Sequence, residues 1–169
     1  MKKIFLVFSL FTAGFAFSQS SEMKITPENS WFKAGLNVGL PIGDMSDVSS
    51  IMVGADFRAQ YLVNPNFGIG VASGYNHFFG KDGAQDLGLI PLAGFVRYYA
   101  QPKGLFVGVD LGYGFLTNAD SNSGGMYLNP QIGYHNEKWN FYAFYQHTFA
   151  QNNFDIQVIG LGTTYNIMF

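Results

Sequence analysis

The sequence predicts an all-β fold, an eight-stranded antiparallel up-and-down transmembrane β-barrel, on three observations. From residue 31 onward, apolar residues alternate with small or polar ones, the period of two expected of strands whose side chains point to opposite faces in turn. The alternating segments are joined by short turns and longer loops in strict succession. The apolar parity is nearly free of charge, whereas the other parity is rich in glycine and carries Lys33, Asp56, Arg58, Arg97 and Asp110.

Composition agrees with that class and excludes others. The 169-residue length fits one domain. Aromatic residues make up 18% and charged residues only 12%, against about a quarter charged in soluble globular domains. A disordered chain would be charge-rich and poor in aromatics. A formal net charge of −2 with no run of Lys or Arg argues against nucleic acid as a partner. The absence of cysteine excludes disulfides, thiolate metal sites, cysteine nucleophiles and an acylated-cysteine anchor.

At the N-terminus, Lys2 and Lys3 precede an apolar run from Ile4 to Phe17, and Ala16-Phe17-Ser18 places small residues at the −3 and −1 positions. Residues 1–18 therefore read as an export signal cleaved before Gln19. Residues 19–30 are polar, contain Pro27 and show no period, as expected of a lead-in to a barrel over residues 31–169.

The first strand, Trp31 to Ile42, puts Phe32, Ala34, Leu36, Val38 and Leu40 on one face and Lys33, Gly35, Asn37 and Gly39 on the other. The second, Ile51 to Val63, opposes Val53, Phe57 and Tyr61 to Asp56, Arg58 and Gln60. The third, Phe67 to Phe79, opposes Ile69, Val71 and Tyr75 to glycines and Asn76. In the fourth, Gly88 to Ala100, Ile90, Leu92, Val96 and Tyr98 face away from Pro91, Ala93, Phe95 and Arg97. The fifth, Leu105 to Thr117, sets Val107, Val109, Leu111 and Tyr113 against Gly108, Asp110 and Gly112. The sixth, Gly125 to His135, sets Met126, Leu128, Pro130 and Ile132 against Asn129, Gln131 and Gly133. The seventh, Trp139 to Phe149, has aromatics on both parities; Trp139, Phe141, Ala143 and Tyr145 are placed outward because Asn140, Gln146 and Thr148 share the other face. The eighth runs from Asp155 to Phe169, with Ile159, Leu161, Tyr165, Ile167 and Phe169 on one parity.

Asn64-Pro65-Asn66, Gln101 to Gly104 and Asn136 to Lys138 carry turn chemistry. Longer connections fall at Gly43 to Ser50, Gly80 to Leu87, Asn118 to Gly124 and Ala150 to Phe154. Pro91 and Pro130 remove ladder donors within strands, so a bulge or local irregularity is expected at each.

The orientation of the two faces follows from charge. A soluble barrel would turn the apolar parity inward and needs a charge-rich exterior, which this sequence cannot supply. Lipid contact demands an uncharged apolar exterior, and glycine suits a crowded interior. Aromatics near the strand ends (Trp31, Phe32, Tyr61, Phe67, Tyr98, Trp139 and Phe169 at one end, Phe79, Phe115 and Phe149 toward the other) read as two interfacial girdles.

The export signal, the apolar strands and the terminal aromatic together resemble the small outer-membrane β-barrels of Gram-negative bacteria, the OmpX-like barrels and the transmembrane half of OmpA. The resemblance implies an outer-membrane location with periplasmic termini and contact with outer-membrane lipid and lipopolysaccharide. It also implies a monomer and a C-terminal assembly signal, Tyr165, Ile167 and Phe169, read by the barrel-insertion machinery. It implies neither a cofactor nor a catalytic site. The chain stops at the eighth strand, where full-length OmpA continues into a peptidoglycan-binding domain, and the loops are shorter than in adhesive relatives.

Chemistry-bearing residues cluster on the inward parity. Residues summing to about 205 face one another across the turn at Gln101 to Gly104, which makes Arg97 and Asp110 diagonal neighbours, while Asp56 and Arg58 lie near Lys33. An eight-stranded bore is just wide enough to be filled by side chains, so Lys33, Asp56, Arg58, Arg97 and Asp110 are expected to form a polar plug. The function this favours is a non-enzymatic envelope structural or surface-interaction role. The alternative is a narrow passive channel or a transporter of a small hydrophobic ligand. Asp44, Asp47, Asp82, Asp86 and Asp120 give an acidic loop rim without the dense alternation of a calcium loop. His77, His135 and His147 lie on separate strands with no partner at a catalytic or metal-binding spacing. His147-Thr148 is a faint echo of lipid-modifying barrels.

Overall fold

The computed structural model describes residues 31–118, 124–150 and 155–167. Residues 1–30, over which the export signal and the lead-in are expected, lie outside these, as do Asp120 and Phe169. Eight antiparallel strands follow in chain order: β1 (Trp31–Ile42), β2 (Ser49–Asn64), β3 (Phe67–Gly80), β4 (Leu87–Tyr99), β5 (Gly104–Thr117), β6 (Gly124–His135), β7 (Trp139–Ala150) and β8 (Asp155–Ile167). Each pairs with its neighbours in sequence, and β8 pairs with β1 from Phe32↔Ile167 to Ile42↔Gln157, closing the barrel. Closure leaves no unpaired sheet edge, which every strand in lipid requires.

Parity decides which residues face in. On β2, Met52, Gly54, Asp56, Arg58, Gln60 and Leu62 are buried, while Val53, Phe57, Tyr61 and Val63 are exposed. The same alternation runs round the barrel, and Leu36, Tyr61, Leu105 and Leu161 are 63–69% exposed. On β7, Trp139, Phe141 and Ala143 face outward, and Asn140, Tyr142, Phe144, Gln146 and Thr148 face inward. Among the described residues, the charged side chains within strands are Lys33, Asp56, Arg58, Arg97 and Asp110 on the inward face and Asp155 at the loop-end rim.

Two of the three turns at the end near Trp31 and Ile167, β2–β3 and β6–β7, are built by asparagine. Asn64 Oδ1 accepts hydrogen bonds from the backbone N–H of Asn66 and Phe67, both at 2.9 Å. Asn136 Oδ1 accepts in the same way from Lys138 and Trp139. This side-chain mimic of a turn frees the strands to part and return without a long loop. At the other end, the first loop carries a single helical turn, α1 (Met45–Val48).

The irregularity expected at each proline is an interruption of one ladder rather than a bulge. The β3–β4 ladder lacks the pairs at Gly74/Pro91 and Tyr75/Ile90, and the β6–β7 ladder lacks those at Asn129/Gln146 and Pro130/Tyr145. The register is the same on either side of each gap, so a missing donor interrupts pairing without inserting a residue. The register shifts lie instead in the β2–β3 ladder, between Ser49 and Ile51 and between Leu62 and Asn64.

Candidate functional site

The inward side chains lie in three layers along the lumen. At the loop end, Met52 of β2, Phe78 of β3, Leu89 of β4 and Ile156 and Val158 of β8 are completely buried, and Met45 of α1 packs with them. Strand parity places Met52, Phe78, Leu89, Ile156 and Val158 on the inward face, sharing parity with Asp56, Asn76, Arg97 and Gly160. What parity does not provide is Met45, which joins this apolar cluster from the helical turn of the first loop. Toward the turn end, Leu62, Tyr99, Phe106 and His135 are buried together, with Tyr99 donating to Gln60 Oε1 at 2.7 Å. His135 Nε2 lies 3.0 Å from the Gln101 carbonyl oxygen.

Between these lies the ionic layer. Arg58 is its centre, 4% exposed. Its Nη1 and Nη2 donate to Asp110 Oδ1 and Oδ2, each at 2.8 Å, and its Nε donates to Asp56 Oδ2 at 2.8 Å. Tyr142 donates to the same Asp56 oxygen at 2.6 Å. Asp110 Oδ2 also accepts from Asn129 at 3.0 Å and Gln131 at 2.9 Å. A bidentate guanidinium–carboxylate pair is strongly oriented, and here it spans the bore from β2 to β5.

The structure therefore joins Asp56, Arg58 and Asp110 into one network and leaves Lys33 and Arg97 beside it. The diagonal register of β4 and β5 is present, with Phe95↔Asp110 and Arg97↔Gly108. Asp110 is nevertheless taken by Arg58 rather than Arg97. The stem of Arg97 runs over Gly108, where an added Cβ would lie 2.8 Å from its Cγ, and its Nη2 donates to Gln131 Oε1 at 2.9 Å. The guanidinium sits 4.7 Å from the Phe106 ring and within 6 Å of Phe95 and Tyr142, a cation–π enclosure. Lys33 Nζ donates to Asn166 Oδ1 at 2.8 Å, and Asn140 donates to that same oxygen. Among the described residues, neither Lys33 nor Arg97 contacts a carboxylate.

The histidines also depart from expectation. Tyr75, His77 and Phe79 of β3 and Tyr145, His147 and Phe149 of β7 form the same Tyr-x-His-x-Phe pattern, each facing outward near the loop end. His77 Nε2 lies 3.1 Å from Asp86 Oδ2, and His147 Nε2 lies 2.9 Å from Asp155 Oδ2. The repeated pattern, followed by an Asp nine or eight residues after each His, was the available signal. Thr148 is completely buried on the inward face, so it cannot act together with the outward His147. In the acidic rim, the Gly80 N–H donated to Asp86 and, next, His77 hold the Asp86 carboxyl below the usual carboxylate range. Among the described residues, no three metal-ligating side chains come together.

Of the terminal set, Tyr165 and Ile167 lie on the outward face of β8, with Tyr165 edge-on to Trp139 at 5.0 Å. Phe169 lies outside the described residues.

The chain is similar to the N-terminal β-barrel domain of OprF from Pseudomonas aeruginosa, at 18% identity and a TM-score of 0.48, over 82% of this chain and 98% of that one. It is also similar to the outer membrane protein OprG from the same organism, at 12% identity and a TM-score of 0.49, over 82% of this chain and 95% of that one. No family model matches the sequence. No curated protein matches it either.

Proposed function

We propose that the protein is an integral outer-membrane barrel with a non-enzymatic structural or surface-interaction role in the envelope, its lumen closed. The observation that carries this reading is that side chains occupy the bore at every level: apolar at the loop end, ionic at the centre, aromatic and amide-lined at the turn end. The membrane location is supported by the charge-free apolar exterior, a surface that water would not tolerate over the full height of a barrel. Periplasmic termini and loops at the outer surface follow from the export signal and the even strand number. The outward residues would then meet lipid and lipopolysaccharide, and Tyr165, Ile167 and Phe169 would be read during insertion by the assembly machinery.

Planar-bilayer conductance of the refolded mature protein tests the closed lumen. Folding is verified by gel shift before the recording. A silent bilayer, for the wild type and for Arg97→Ala, is the expected result. Steady small channels that change with Arg97→Ala would replace this reading with that of a narrow pathway lined by the lumen charges.

A further inference from the structure

Within the ionic layer there is a small interior cavity that no part of the structural role requires. Its walls include Asn37 of β1, Asp56 and Arg58 of β2, Asn129 of β6, and Gln146 of β7. Its volume is about 20 Å³, and one water molecule needs roughly 10–15 Å³ on the same measure. Three of the wall residues bring buried polar atoms with no hydrogen-bond partner in the protein: Asn37 Oδ1, Asn129 Oδ1 and Gln146 Nε2. Asn129 and Gln146 are 5% and 1% exposed.

Two of the amides are held in orientation by their other ends. Asn129 uses its Nδ2 on Asp110, which leaves its oxygen as the unused atom. Gln146 Oε1 accepts from Asn76 Nδ2 at 2.9 Å, which leaves its nitrogen. Asn37 lies level with Gly54 across β1 and β2, and Gly54 lies level with Asn76 across β2 and β3. An added Cβ at Gly54 would come within 2.6 Å of Asn37 Oδ1 and still closer to Asn76 Oδ1. A glycine at this place therefore keeps the amides of two neighbouring strands level beside the cavity.

The three unused atoms are two acceptors and one donor. Leaving each of them buried and unmatched is costly. The fixed charges on the wall argue for a neutral guest: Arg58 would repel a cation, and the Asp56 carboxylate, already held by Arg58 and Tyr142, would repel an anion. We propose that this cavity is a binding site for a single water molecule, which donates to Asn37 Oδ1 and Asn129 Oδ1 and accepts from Gln146 Nε2. The water ties β1, β6 and β7 together across the bore, and through Gln146 and Asn76 it reaches β3. It is an internal strut of the barrel, independent of whether the lumen conducts.

The test is water-edited NOE and ROE spectroscopy of the mature protein folded in detergent micelles. A cross-peak from water to the Gln146 side-chain amide, with the sign of a molecule that tumbles with the protein, is expected. Gln146→Met keeps the length of the side chain but removes the donor, and should abolish the matching cross-peak at the Asn129 amide and lower the unfolding midpoint. Thr148→Val alters a buried hydroxyl that does not line the cavity, and should leave the Asn129 cross-peak in place. No cross-peak at either amide in the folded wild type overturns the proposal. So does an Asn129 cross-peak retained at full strength in Gln146→Met. A midpoint that changes when sodium is replaced by lithium or potassium at fixed ionic strength would assign the site to a cation and overturn the water.

Discussion

Arg58 shows how much of this interior hangs on one residue. Its guanidinium is the partner of both lumen carboxylates, so removing it strands two buried negative charges. Breaking a buried pair by deleting one member costs on the order of 3–5 kcal/mol, and Arg58→Met should cost at least that. Arg97→Met removes one hydrogen bond to an amide and three ring contacts and leaves no carboxylate unpaired. It should cost less than half as much. Urea unfolding midpoints in a lipid bilayer would rank the two, and an equal loss would mean that the charges are not organised around Arg58. Parity alone placed all five charged residues inside. It could not choose their partners, because Arg58 meets Asp110 only when strands three apart face each other across a closed bore.

Among the elements, glycine sets where the large inward side chains can go. Gly162 of β8 lies beneath the Tyr142 ring, and an added Cβ would stand 2.6 Å or less from three atoms of the Tyr142 phenol. Gly94 of β4 faces outward, and its Cβ would meet only the Gly70 carbonyl oxygen at 3.9 Å. Gly162→Ala should therefore displace Tyr142 from Asp56 and destabilise the barrel by about 1–3 kcal/mol, the usual cost of overpacking. Gly94→Ala should be neutral or slightly stabilising, since glycine in a strand carries an entropic cost. Thermal or urea unfolding of the two variants side by side decides this, and equal effects would refute the steric account. Strand order, strand number and the asparagine turns were all legible, because period-two patterning and turn chemistry are local. The helical turn of Met45–Val48 was not, because it depends on what covers the bore. The two prolines were legible as irregularities, but whether each inserts a residue or only interrupts pairing depends on whether a neighbouring strand can absorb the missing donor.

For the whole molecule, the decisive property is the direction in which the apolar face points. Leu161, in the middle of β8, is 66% exposed and lies on the outward face. If that face meets lipid, Leu161→Arg should destabilise the barrel by about 2–4 kcal/mol in a bilayer, the cost of an arginine near the midplane. If the face met water, the same change would be harmless and would improve solubility. Folding into vesicles, followed by urea titration, separates the two outcomes.

Alternation, charge sparsity and turn residues are properties of neighbouring positions, so the chain alone specifies eight strands, their faces and an uncharged exterior around a polar interior. The apolar lid over the loop end, the Arg58–Asp110 bridge, the aromatic enclosure of Arg97 and the paired His–Asp contacts join residues far apart in sequence or held by loops. Their existence depends on closure of the sheet and on the width of the bore it creates, which are set only when all eight strands are in place.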